Sequence, residues 1–85
     1  MRPQKLFQKI TAGAFQNVKF TDFQRLVELF GFTLVRVSGS HHIYSHGRIL
    51  ELLNIQNVAG EAKPYQIRQF LRIVERYNLQ SEVDK

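Results

Sequence analysis

All three histidines of this 85-residue chain, His41, His42 and His46, fall in the single run Arg36-Val37-Ser38-Gly39-Ser40-His41-His42-Ile43-Tyr44-Ser45-His46-Gly47. Histidine is the side chain that both gives and takes a proton near neutral pH, so a cluster of them between two turn glycines is a candidate reaction centre.

Several chemistries are open to such a cluster. In an extended strand His41 shares a face with Ile43 and Ser45, and His42 shares the other face with Tyr44 and His46. Two adjacent imidazoles therefore do not serve one ligand unless a bulge intervenes. One reading makes the histidines half-buried or solvated hairpin residues with no chemical task. A metal site built on His42 and His46 is short of ligands, because no cysteine exists and Glu51 is the only acidic neighbour. A Ser-His-Asp arrangement has Ser38, Ser40 and Ser45 nearby, but no acidic residue placed to orient an imidazole. A single histidine does suffice for cutting RNA, whose 2′-hydroxyl is an internal nucleophile. The protein then supplies proton transfer and cations for the phosphate, with no metal or cofactor. Which of His41 and His42 takes that role depends on which face of the strand is buried.

The charge balance agrees with a polyanionic partner. Twelve Lys and Arg against seven Asp and Glu give +5 and a pI near 10.0, which attracts RNA or DNA phosphates and equally an acidic protein. Arg36 and Arg48 flank the histidine run, and Arg68, Arg72 and Arg76 recur every four residues as a basic ridge or a plainly solvated helix face. The absence of cysteine fits a reducing cytoplasm, and no apolar run approaches the roughly 20 residues that span a bilayer. The expectation is one cytoplasmic domain over residues 1–85, with a core at 21–79 and an N-terminal extension at 1–20.

The elements that must position the hairpin follow from periodicity. Pro3 opens a short helix carrying Leu6, Phe7 and Ile10 and ending before Gly13. Thr21-Asp22-Phe23-Gln24 reads as a capping box starting a second helix, with Phe23, Leu26, Val27 and Phe30 as its buried stripe and Gly31 as a left-handed cap. Phe32–Val37 and His41–Ser45 form a hairpin about Gly39-Ser40, and a third strand runs over Arg48–Ile55 after a turn at His46-Gly47. Asn57–Lys63 reads as a loop. Pro64 opens a last helix with Ile67, Phe70, Leu71 and Val74 inward, and the polar tail from Gln80 to Lys85 frays. The fold class is α+β, a three-stranded antiparallel sheet with both main helices on one face and an added N-terminal helix free to cover the sheet, pair two copies or extend the core.

The run from Leu29-Phe30-Gly31-Phe32 to Gly39-Ser40-His41-His42-Ile43-Tyr44-Ser45-His46 resembles the signature of the HicA toxins, in which a helix ends in a Gly-Phe corner and a strand leads to Gly-Ser-His-His. The stretch from Lys63-Pro64 through Ile67, Leu71 and Val74 to Leu79 is similar to the family's last helix. The resemblance implies an α-β-β-β-α fold like the double-stranded RNA-binding domain, and a ribosome-independent mRNA-cleaving toxin of a type II toxin–antitoxin pair. A HicB-like antitoxin would silence it by covering the catalytic histidine. By motif position that residue is His41, with His42 as the fallback, and Arg36, Ser40, Arg48, Lys63 and Arg68 are the expected RNA contacts. The chain departs from the pattern over Glu51–Asn57, which has neither the Pro nor the His that family members carry there. The alternative is a non-catalytic RNA-binding module of the same fold.

Overall fold

A computed structural model describes residues 1–82. The order is α1 (Pro3–Thr11), α2 (Phe20–Leu29), β1 (Phe32–Ser38), β2 (His41–His46), β3 (Leu53–Val58), β4 (Glu61–Ala62) and α3 (Pro64–Arg76). The strands form one antiparallel sheet in the order β1-β2-β3-β4. The architecture is therefore α+β with an N-terminal helix, as expected, but the sheet has four strands rather than three. The fourth comes from the segment read as a loop. Ala59 and Gly60, at φ 52° and 85°, make the tight turn of a two-residue hairpin, and Asn57 Oδ1 accepts the Gly60 N–H at 2.8 Å.

Cross-strand partners share a face, so the pairs Phe32 with His46, Tyr44 with Leu53 and His42 with Ile55 define one side of the sheet. Phe32, Tyr44, Leu53 and Ile55 are buried there with Phe20, Phe23, Leu26 and Val27 of α2 and Ile67, Phe70 and Ile73 of α3. Phe70 packs edge-on against Phe23, Phe30 and Phe32. Both main helices thus occupy one face, and the other is left open. α1 neither covers that open face nor stands apart: Leu6 and Ile10 are buried against α2, and Phe7 meets Phe30 at 4.9 Å.

Local details differ from the periodicity in physically readable ways. Thr21 is not the cap of α2: the helix starts at Phe20, and Lys19 caps it with no side-chain bond. The cause is tertiary. Val18 accepts the Ala62 N–H and Phe20 donates to Gly60 O, so pairing alongside β4 and burial of Phe20 set where the helix begins. The third strand begins at Leu53, not Arg48. A strand from Arg48 would put Glu51 on the core face with Leu53 and Ile55. Instead residues 47–52 loop out, and the Glu51 carboxylate accepts from Tyr77 Oη at 2.7 Å and Arg76 Nη1 at 3.4 Å. In α3 the buried residues are Gln66, Ile67, Phe70 and Ile73, while Leu71 and Val74 are half-buried against the core. The chain does not fray at Gln80, since Leu79 and Ser81 on either side of it are buried; the rest of the expected frayed tail, Val83, Asp84 and Lys85, lies outside the described residues.

Candidate active face

The histidine hairpin turns at Gly39, whose φ of +60° begins a two-residue loop closing Ser38 onto His41. Alternation then sends the three histidines to different surroundings. His42 and His46 face the helices. The His42 ring lies 4.8 Å from the Phe20 ring, and its Nδ1 donates to Ser40 O at 3.2 Å. His46 is fixed at both nitrogens. Its Nδ1 accepts the Arg48 N–H at 3.1 Å, so Nε2 carries the proton and donates to Phe30 O, also at 3.1 Å, satisfying a carbonyl at the end of α2. Gly31, at φ +92°, leaves room for this contact, since a Cβ there would sit 2.9 Å from His46 Nε2. Both imidazoles are thus tied to the backbone.

His41 is exposed on the open face. The residues sharing that face by register are Ser38, Arg36 and Thr33 on β1, Ile43 and Ser45 on β2, and Asn54 and Gln56 on β3. His41 Nδ1 lies 3.2 Å from Asn54 Oδ1, and Gln56 Nε2 donates to Ser40 Oγ at 3.2 Å. Gln56 is held from behind: its N–H, facing away from β2 where β4 has already ended, donates at 2.8 Å to Oε1 of buried Gln66 in α3. Asn54 and Gln56 were not singled out from the sequence. The signal was the alternation Leu53-Asn54-Ile55-Gln56, with apolar residues on the core face and amides on the other.

Arg36 reaches this face through a β-bulge. Leu34 pairs with Tyr44 and Arg36 with the adjacent Ile43, leaving Val35 as the extra residue. Lys63 follows Ala62, which pairs with Asn57, and Asn57 donates to Ser40 O at 2.9 Å. Lys63 is exposed and lies at the His41 end of the sheet, two strand spacings or about 10 Å away. Arg48 is exposed at the other end of β2, with about 17 Å of strand between His41 and His46. Arg68 is in the helix layer, its guanidinium 5.1 Å from the centre of the Phe15 ring. The structure therefore groups His41, Ser40, Arg36 and Lys63 at one end of the sheet and sets Arg48 and Arg68 apart from them.

Tyr44 anchors the opposite face. It is fully buried, its hydroxyl accepts from Gln24 Nε2 at 3.0 Å and donates to Glu28 Oε2 at 3.4 Å. Burial pushes its pKa above the ordinary 10.0; the bond from Gln24 opposes this, and the Glu28 charge and hydrogen bond add to it. Among the described residues no three His, Cys, Asp or Glu side chains converge as a metal site would need, and no helix is long and apolar enough to cross a membrane.

Comparisons with curated proteins and with solved structures gave no significant match to this chain. The family model described as the HicA toxin of bacterial toxin–antitoxin systems matches residues 20–75, well over half of the chain and the span from α2 to the last turn of α3. The match contains the hairpin, the bulged strand, the open face and both helices that back it. The chain belongs to the HicA toxins, RNA-cutting proteins of bacterial toxin–antitoxin systems that are paired with an antitoxin.

Proposed function

We propose that the protein cleaves mRNA on its open sheet face by a metal-independent route, with His41 as the proton carrier. The observation that carries this reading is the division of labour among the histidines. His42 and His46 are turned to the helices and bonded to backbone, whereas His41 stands exposed on the same face as Arg36. In the reaction the imidazole takes the proton of a 2′-hydroxyl, the 2′-oxygen bonds to phosphorus, and the bond to the 5′-oxygen breaks. The leaving oxygen takes a proton from water, the imidazolium returns its proton to solvent, and the products are a 2′,3′-cyclic phosphate and a 5′-hydroxyl. Arg36 and Lys63 hold the phosphate and its developing charge, and the Ser40 hydroxyl is available to the same phosphate. Arg48 engages a phosphate further along the strand, and Arg68 adds to the basic surface of the helix layer.

A HicB-like antitoxin is the partner this reading assigns, acting in the cytoplasm by covering the open face. The free β1 edge adds exposed apolar surface of the kind a protein partner buries: the bulged Val35, and Leu34 and Val37, which by register lie on the helix side of that edge.

The test is the His41→Ala variant, set beside His42→Ala, in growth arrest and in cleavage of purified RNA in the presence of a chelator. Loss of both activities in His41→Ala, with an unchanged thermal transition, is expected. Cleavage retained in that variant overturns the assignment. RNA bound in a salt-dependent way but left intact by the parent chain supports the non-catalytic binding module instead.

A further inference from the structure

We infer that Asn54 is a positioning residue for His41, selecting the tautomer in which Nδ1 carries the proton and Nε2 is left bare toward the substrate. The inference rests on the reading of His41 as the proton carrier and adds the residue that prepares it.

Asn54 projects onto the open face because its neighbours Leu53 and Ile55 are both fully buried on the other. It pairs with Ile43 and is therefore diagonal to His41, a distance that side chains bridge across antiparallel strands. Its Oδ1, which only accepts hydrogen bonds, lies 3.2 Å from His41 Nδ1. The neighbouring amide does not compete for this place, because the Gln56 side chain is bonded to Ser40 Oγ and its backbone N–H to Gln66.

The two ring nitrogens of a histidine have separate roles, and the bond made by one decides the protonation of the other. With Asn54 Oδ1 holding the Nδ1 proton, the neutral ring keeps its lone pair on Nε2, the nitrogen at the far edge of the ring. A base must have that lone pair free to accept the 2′-hydroxyl proton. The imidazolium formed is then still held by the amide oxygen. Orientation of a catalytic imidazole by an asparagine is the logic of Cys-His-Asn sites, here placed on an exposed strand. The same bond fixes the ring plane, which an exposed side chain would otherwise explore at an entropic cost. The opposite amide rotamer, with Nδ2 donating to Nδ1, would protonate Nε2 and abolish the base.

The experiment reads the tautomer without using activity. Two-bond proton–nitrogen correlation spectra of uniformly labelled protein, recorded where His41 is neutral, are expected to show Nδ1–H in the parent chain. They are expected to show a shift toward Nε2–H in Asn54→Ala, with Asn54→Asp, which keeps an acceptor, retaining Nδ1–H. Cleavage by Asn54→Ala is expected to lose roughly tenfold or more in kcat with KM nearly unchanged, because the substrate still meets the same cations. A parent ring already protonated at Nε2, or a tautomer indifferent to Asn54→Ala, overturns the inference while leaving the role of His41 standing. Full cleavage by His41→Ala overturns that role itself.

Discussion

Phe32 and Arg36 lie four residues apart on β1 and face opposite sides of the sheet. In an unbroken strand that spacing would place them on the same side. The extra residue Val35 reverses the alternation between them, so Phe32 is 3% exposed in the core while Arg36 joins the His41 face. A bulge that re-aims one side chain is the whole of this device.

Arg36→Ala should therefore weaken RNA binding without disturbing the core. The expected signature is a uniform loss across RNA sequences and a salt dependence shallower by about 0.7 in the slope of log K against log salt, the contribution of one phosphate contact to a single strand. Binding isotherms at several salt concentrations check this, and an unchanged slope would remove Arg36 from the phosphate-binding set.

Gln66 should matter to stability more than a polar helix residue usually does. Pro64 turns the chain away from the sheet directly after β4, and the Gln66 side chain takes the place of the missing strand by accepting the Gln56 N–H. Gln66→Leu leaves that donor without a partner, at a cost of about 1–3 kcal/mol in urea unfolding. Because Gln56 also holds Ser40, the variant should in addition loosen the hairpin end, visible as faster amide exchange at Ser40 and His41.

Tyr44 predicts an alkaline limit. Its folded pKa lies above the 10.0 of the exposed phenol, so the folded state holds this proton more tightly than the unfolded chain does. Its contribution is fully present below about pH 10 and is lost as pH rises through the folded value. Tyr44→Phe should lower stability near neutral pH by about 1–2 kcal/mol, through loss of the bonds to Gln24 and Glu28, and flatten the decline above pH 10. Urea titrations of both chains between pH 7 and 11 give the comparison.

The helices were legible because an apolar stripe is a property of the chain itself. Phe23, Leu26, Val27 and Phe30 were identified from spacing and are all buried, and Pro64 and Gly31 mark a helix start and end as their backbone preferences require. What escaped was decided between elements. The start of α2 answers to the edge of β4 rather than to Thr21, and the start of β3 answers to the cost of burying Glu51. The short strand at Glu61–Ala62 exists because Val18 and Asn57 both lie in reach of it.

The candidate site divides in the same way. Sequence alone determined that a Gly-Ser-His-His hairpin sits among basic residues, that strand alternation separates His41 from His42, and that the run resembles the HicA signature. It left open which face would be buried, because one contains His41 and the other His42 and His46, and both carry some apolar area. Tertiary packing made that choice: Tyr44, Leu53 and Ile55 offer continuous apolar surface to α2 and α3, carrying His42 and His46 inward and leaving His41 in solvent. The residues that flank His41 come from the strands on either side of it, with Asn54 arriving by register and Arg36 by the bulge at Val35. Neither is encoded in local spacing, since pairing register is a property of two strands and not of either one.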